Sequence, residues 1–362
     1  MTSGAFPFEA NPNPVDAAER AARLVDPGFG RVFTDHMVTI RYSDAKGWHD
    51  AKVGPRAPLT LDPATAVLHY AQEIFEGLKA YRLADGSMAL FRPEQNARRF
   101  QRSAKRLAMP ELPEEMFLQA CRQLVQVDKD WFPPVDGGSI YLRPFMIASE
   151  VFLGVKPSAE YLFMVIASSA GNYFKSGAPA ISIWVSEQYT RAARGGTGAA
   201  KCGGNYAASL VAQSEAIRQG CDQVVFLDAA EHRWVEELGG MNLFFLFDDG
   251  SLLTPPTDGT ILEGITRDSV LTLARAQGLN VREERYAMDQ WRADTESGRL
   301  VEVFACGTAA VVTPVGTVKS TQGDFTIGAG GAGQMTQQIR TKLVDIQRGA
   351  AADTHGWVQR ID

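Results

Sequence analysis

Lys201 is the residue in this chain best placed to do chemistry. The segment RGGTGAAKCGGNYAASL (residues 194–210) sets it among glycines and alanines. Small neighbours let a backbone come close to a bound ligand. They also let an amine sit in a partly desolvated cleft, where its pKa falls and it becomes a nucleophile or proton carrier. Taken alone, a surface lysine in a loop explains the same pattern equally well. Tyr206, five residues on, could hydrogen-bond the same ligand. Further along, VEELGGMNLFF places Glu236 and Glu237 before a glycine turn and an apolar strand. A carboxylate facing inward there is costly unless it meets a cation; the other of the two reads as a turn residue in solvent. EGITRDSVL then opens a helix at Ile265 and Thr266, where exposed amides and the helix dipole bind phosphate. A small-residue turn, CGTAA (residues 306–310), adds Thr308 and further amides. An N-cap threonine with no ligand is the commoner case for any one such feature. Lysine, acid and phosphate turns together fit one cofactor, pyridoxal phosphate, whose pyridine nitrogen must stay protonated for it to act as an electron sink.

Two other glycine motifs lead elsewhere. GAGGAG at residues 328–333 fits the dinucleotide fingerprint, but only 29 residues follow it, too few for a complete βαβ unit and the strands beyond. It reads as a lid or linker. GGTGAAKCGG resembles a P-loop, yet Ala200 precedes the lysine and Cys202 stands where a magnesium-binding hydroxyl is required. No G-x-S-x-G elbow, H-E-x-x-H or C-x-x-C is present.

These residues need elements to position them. β-branched alternation predicts strands at 32–42, 139–148, 161–167, 181–186, 223–228, 301–306 and 309–312. Hairpins turn at Asp85-Gly86 and Asp249-Gly250. Helices are expected over 62–73 (aspartate N-cap, then proline), over the basic stretch 93–108, and over 113–131, 207–219, 265–277 (stopping at Gly278) and 334–348. The arginines of the basic helix read as a solvated face about as readily as ligands. The first thirty residues, polar and broken by proline, are expected to drape over the surface.

At 362 residues the chain has room for two domains. Strands, helices and antiparallel hairpins in both halves predict an α+β architecture, with domains at 1–169 and 182–362 joined by a small-residue loop at 170–181. Thirty-six basic and 42 acidic residues leave a net charge of −6, which argues against nucleic-acid or membrane partners. Four scattered cysteines make neither a disulfide scaffold nor a zinc ribbon. No signal peptide is evident and no apolar run approaches the roughly 20 residues of a membrane span, so a cytoplasmic protein is expected.

At this point the landmarks HYAQEIFEGLKAYR (69–82), YLRPF (141–145), FLGVKPS (152–158), AKCGGNYAAS (200–209), EELGGMNLFF (236–245) and GITR (264–267) resemble the branched-chain amino acid aminotransferases of the fold-type IV pyridoxal phosphate enzymes. The class IV signature between Glu237 and Arg267 would also admit D-amino acid or aromatic aminotransferases and aminodeoxychorismate lyases; FEGLKAYR and FLGVKPS favour the branched-chain group. The resemblance implies a smaller N-terminal α/β domain and a larger C-terminal pseudo-barrel domain. It also implies a ping-pong reaction that passes the amino group of L-leucine, L-isoleucine or L-valine to 2-oxoglutarate, yielding L-glutamate.

By the same resemblance Lys201 is the Schiff-base lysine, which also moves the proton between Cα and the cofactor's C4′. Glu237 partners the pyridine nitrogen and Tyr206 the phenolic oxygen. Arg99 (Arg98 if the match slips by one), Ile265, Thr266 and Thr308 hold the phosphate. Phe29, Tyr70, Tyr141, Arg143, Tyr173 and Ala309 lie on the substrate side, with Leu153 and Val155 reaching across from a second subunit, which implies a homodimer. The apolar residues suit a branched side chain, and Arg143 with its neighbouring tyrosines is the candidate for the side-chain carboxylate of glutamate. Two departures stand out. Ala310 and Thr313 occupy the positions of a C-x-x-C in mammalian members, removing support for thiol redox control. Gly240 stands where some relatives have threonine, removing one hydrogen bond to substrate or cofactor.

Overall fold

The computed structural model describes residues 4–135, 137–171 and 180–361. Tyr173 and most of the expected interdomain loop lie outside them. The chain divides into two compact units, the first comprising Met1–Tyr173, Ala200–Gly203 and Ile346–Asp362 and the second Phe174–Ala199 and Gly204–Asp345. The last seventeen residues, expected with the C-terminal domain, thus belong to the first unit, as does a tetrapeptide around Lys201.

The first unit is built on strands β1 (Val32–Ser43), β2 (Gly47–Pro55), β3 (Glu73–Phe75), β4 (Leu78–Arg82), β5 (Met88–Phe91), β6 (Ser139–Ala148) and β7 (Glu160–Ala170). Its helices are α1 (Ala17–Leu24), α2 (Val67–Tyr70), α3 (Pro93–Arg106) and α4 (Glu114–Val127). Antiparallel pairing runs β5-β4-β6-β7-β1-β2, with β3 a short extra partner of β6. Val38 and Ile40 of β1 are fully buried. Phe100 of α3, Phe117 of α4 and Phe163 of β7 meet with ring centroids 5.5–6.2 Å apart. Each such ring contributes on the order of 2–3 kcal/mol by leaving water, and together they fix α3 on the sheet.

Two expectations change here. The helix expected over 62–73 shrinks to the single turn of α2, because Ala71 adopts a left-handed φ of 50° and Glu73 pairs into the sheet opposite Ile147. The first thirty residues are not wholly irregular: Asp16 accepts hydrogen bonds from the amides of Ala18 and Glu19 and so caps α1.

The second unit holds β8 (Ile181–Ser186), β9 (Gln223–Leu227), β10 (Val235–Leu238), β11 (Met241–Phe247), β12 (Ser251–Thr254), β13 (Asn280–Glu283), β14 (Leu300–Gly307), β15 (Val311–Lys319) and β16 (Phe325–Thr326). Its helices are α5 (Gly203–Arg218, whose first residue falls in the first unit), α6 (Ile265–Ala276), α7 (Met288–Glu296) and α8 (Gln334–Gln347). The strand expected at 309–312 begins at Val311 and continues to Lys319. The order β10-β9-β8-β15-β14-β11 closes because β11 also pairs with β10, making a six-stranded barrel from which β12, β13 and β16 extend. Ile183, Val185, Val225, Leu243, Phe245, Val303 and Val315 fill its core. The fold is therefore the α+β one expected, with a barrel in its C-terminal half. The chain ends in β17 (Val358–Ile361), which pairs antiparallel with β5 in the first unit. Among the described residues no helix is long and apolar enough to cross a membrane.

Candidate active site

Each unit carries its own set of polar groups. In the first, the Lys201 ammonium lies 4.9 Å from the centroid of the Phe75 ring, and the Arg143 guanidinium carbon lies 4.8 Å from the same centroid. A cation held against an aromatic face gains electrostatic attraction in a partly desolvated setting. Arg143 also donates to the Tyr141 hydroxyl at 3.2 Å, and Tyr141 packs edge-on to Phe29 at 4.9 Å. Gly77 makes room for that hydroxyl, since a Cβ there would overlap it. Lys201 and Arg143 thus share the Phe75 ring, and Arg143 connects in turn to Tyr141 and Phe29.

Adjacent arginines of α3 have different fates. Arg98 is half exposed and pairs with Glu114 at 3.1 Å. Arg99 is 5% exposed and grips Glu76 through two bonds, Nε to Oε1 at 2.7 Å and Nη2 to Oε2 at 2.8 Å. Asn96 donates to Glu76 Oε2 at 2.7 Å. Burial alone would raise the Glu76 carboxyl, but Arg99, Asn96 and the charge of Lys201 overcome it and hold it below its ordinary value.

Tyr70, Leu153 and Val155 form a different group. The Tyr70 hydroxyl donates to the Leu153 carbonyl at 2.6 Å, and Leu68, Val151, Leu153 and Val155 are 57%, 55%, 73% and 91% exposed. These are among the large apolar side chains left exposed in the chain.

In the second unit, strand alternation decides between the paired acids. Glu236 is half-buried and accepts from the Thr260 hydroxyl at 2.7 Å. Glu237 is buried, and its Oε2 takes Arg191 at 3.0 Å and the Leu262 amide at 3.2 Å. Arg191 is itself fixed by the carbonyls of Thr260 at 2.9 Å and Gly198 at 3.4 Å. Sequence reasoning missed this arginine; its only signal was a position ten residues before Lys201 in YTRAARGGTGAAK. Tyr206 lies beside Gly240, where a Cβ would come within 3.3 Å of its ring.

The signature residues around α6 shape its N-terminus. Asn242 donates to the Leu262 carbonyl at 3.1 Å, the Thr254 hydroxyl to the Leu243 carbonyl at 2.7 Å, and Arg267 to the Pro255 carbonyl at 2.9 Å. Gly264, the N-cap, supplies no side-chain cap, so the amides of Ile265 and Thr266 open the helix without a capping oxygen, as an anion site requires. Thr308 and Ala309, both half-buried, follow β14 in the second unit. Just before them, burial pushes the Cys306 thiol up to about 12, keeping it protonated. Within the second unit a buried carboxylate, a tyrosine and an uncapped helix start are groups that fit a phosphorylated pyridine, and within the first Lys201 supplies an amine that fits an aldehyde.

GAGGAG does not compete for phosphate. The first amides of α8, those of Met335 and Thr336, donate to the Glu302 carboxylate at 3.0 and 2.8 Å. An anion already occupies that helix start. Among the described residues no cluster could hold a metal ion.

Comparison with known proteins agrees with this chemistry. The family model for amino-transferase class IV matches residues 73–318. A Streptomyces coelicolor protein named "probable branched-chain-amino-acid aminotransferase" is 58% identical over 362 residues, covering all of both chains. The branched-chain-amino-acid aminotransferase of Mycolicibacterium smegmatis is 56% identical over 368, again covering all of both. Among solved structures, the branched-chain amino acid aminotransferase from Thermobaculum terrenum in its PLP-bound holo form superposes with a TM-score of 0.71 at 26% identity, covering 89% of this chain and 98% of that one. The chain belongs to the class IV aminotransferases, within their branched-chain-amino-acid group.

Proposed function

We propose that this chain is a pyridoxal phosphate-dependent transaminase that passes the amino group of L-leucine, L-isoleucine or L-valine to 2-oxoglutarate. The observation that supports the reading is the shared Phe75 ring, whose centroid lies 4.9 Å from the Lys201 amine and 4.8 Å from the guanidinium carbon of Arg143, itself bonded to Tyr141. An amine for proton transfer and a cation for a carboxylate, both in contact with one aromatic ring, suit a substrate that is both an amino acid and, in the second half-reaction, an acidic oxo acid. When bound, the cofactor supplies the electron sink that makes the substrate Cα–H acidic.

The chain's own residues do the rest. Lys201 holds the cofactor and moves the proton at Cα. Glu237, steadied by Arg191, would partner the pyridine nitrogen, and Tyr206 the phenolic oxygen. Arg99, oriented by its two bonds to Glu76, is one candidate to hold the phosphate, and the amides of Ile265 and Thr266 with the Thr308 hydroxyl are others that would hold it. Phe29, Tyr141, Ala309 and Tyr173, the last outside the described residues, line the branch, while Arg143 takes the side-chain carboxylate of glutamate. The exposed group Tyr70, Leu153 and Val155 serves a second copy of the chain, giving a homodimer. The four cysteines are free thiols, which fits a cytoplasmic enzyme.

The purified protein should be yellow and should bleach with L-leucine but not with D-alanine. Lys201→Ala should lose both the borohydride-reducible linkage and transamination. Wild-type turnover in that variant would overturn the reading.

A further inference from the structure

The residues on either side of the tetrapeptide Ala200–Gly203 belong to the second unit, yet the tetrapeptide itself belongs to the first. Three hydrogen bonds account for this. The Lys201 amide donates to Ser103 Oγ at 2.9 Å. The Phe75 amide donates to the Lys201 carbonyl at 2.9 Å. The Gly203 amide donates to Glu73 Oε1. Both peptide groups of the lysine, and the one after the next residue, are therefore engaged.

The anchors are well held themselves. Ser103 is fully buried on α3, one helical turn after Arg99. Glu73 and Phe75 are alternate residues of β3, which is paired to β6 through Ile147 and Phe145, so they face the same side. Gly203 is required, because a Cβ at that position would overlap Glu73 Oε1. Burial raises the Glu73 carboxyl, while the Gly203 amide and Arg143 pull it back. Cys202, between the two held residues, is itself buried in the first unit's core, a fourth restraint that uses no polar group.

We propose that Glu73 and Ser103 are positioning residues for Lys201: with the Phe75 amide they clamp the lysine's backbone against β3 and α3 and so fix where its amine can reach. This rests on Lys201 being the cofactor-bearing catalytic residue. A lysine side chain is flexible, and its useful reach is set by where its Cα is held. A displacement of about 1 Å at a reacting group can cost on the order of a hundredfold in rate. The clamp also couples two roles, since α3 carries both Ser103 and the proposed phosphate arginine.

The test uses the holoenzyme and three variants. Ser103→Ala and Glu73→Ala each remove an acceptor; Glu73→Gln keeps an acceptor oxygen but no charge. Hydrogen–deuterium exchange is followed on the peptide spanning 200–203, alongside kcat and KM for L-leucine. The clamp predicts faster exchange at that peptide in both alanine variants and a fall in kcat of about tenfold to a hundredfold, with KM changed by less than about threefold. It predicts that Glu73→Gln restores most of both. Wild-type exchange in the two alanine variants would overturn the proposal whatever happens to kcat, and so would a Glu73→Gln variant as impaired as Glu73→Ala. Borohydride reduction of the wild type, followed by peptide mass mapping, separates the premise from the inference. Cofactor trapped on another lysine defeats the reading of Lys201, whereas cofactor on Lys201 with unchanged exchange in the variants defeats only the clamp.

Discussion

Replacing Arg191 with methionine isolates the energetics of the buried pair it makes with Glu237. Their side chains are 4% and 1% exposed and their charged atoms 3.0 Å apart. At an effective dielectric constant of about 20, two unit charges at that distance attract by roughly 5–6 kcal/mol. Taking both ions out of water costs several kcal/mol each, so the pair as a whole contributes little net stability. Removing only the arginine is different, because it takes the arginine's charge away from a buried carboxylate at a cost of about 3–5 kcal/mol. The carbonyls of Thr260 and Gly198 also lose their donors, adding on the order of 1 kcal/mol. Adding Glu237→Gln to Arg191→Met removes the buried negative charge but does not return donors to the two carbonyls, so it should recover at least about 2 kcal/mol. The assay is a double-mutant cycle by urea unfolding on cofactor-free protein. On the role proposed for Glu237, Arg191→Met should lose less with cofactor bound, since a protonated pyridine nitrogen would give the carboxylate another cation. Additive single-variant costs, with a coupling below about 0.5 kcal/mol, would refute the description of the two groups as an interdependent pair.

Other features give sharper local tests. Gly77→Ala should push the Tyr141 hydroxyl away from Arg143; KM for both substrates should rise about tenfold while the cofactor band stays, and unchanged KM values would remove Tyr141 from the substrate side. Burial tends to raise the Asp228 carboxyl, but four backbone amides, from Ala230, Glu231, Arg233 and Trp234, hold it down at about 2 against an ordinary 3.8. A depressed carboxyl stabilises the fold above its unfolded pKa and loses that contribution as pH falls through the folded value. Asp228→Asn should therefore cost about 1–2 kcal/mol at pH 7 and much less near pH 2, and an equal gap at both pH values in urea unfolding would contradict it. Leu153→Asp places a charge in the exposed apolar group and should shift sedimentation toward monomer; an unaltered sedimentation coefficient would rule that surface out as the subunit contact.

Much of the fold was legible because its signals are local. β6 and β8 have the bounds that their β-branched residues announce. α6 stops where Gly278, with φ +80°, can turn the chain left-handed. The stretch after Asp62 failed for a tertiary reason. Its N-terminal signals are real, for Asp62 accepts from the amides of Ala64 and Thr65. The sheet nonetheless claims Glu73–Phe75 as a strand, which a helix running to residue 73 would forbid. The two-unit division hid a similar exchange, because nothing near Ala200 or Ile346 marks a return to the first unit.

The same distinction separates the site residues that could be read from those that could not. The roles proposed for Lys201 and Glu237 lie in their own functional groups, and flanking glycines drew attention to both. Arg191, Glu73, Glu76 and Ser103 work only by holding something else, and which residue each holds is decided by long-range packing. Arg98 and Arg99 make the point within one dipeptide. They share charge, helix and neighbours in sequence, yet a rotation of about 100° between successive helical residues sends one to Glu114 at the surface and buries the other on Glu76. Composition could say that α3 was basic. Only the sheet beneath it, by offering one buried carboxylate just after β3, could say which arginine would be drawn inside. A residue that supplies chemistry is therefore recognisable from its neighbours in sequence, whereas a residue that supplies position becomes recognisable only with its partner.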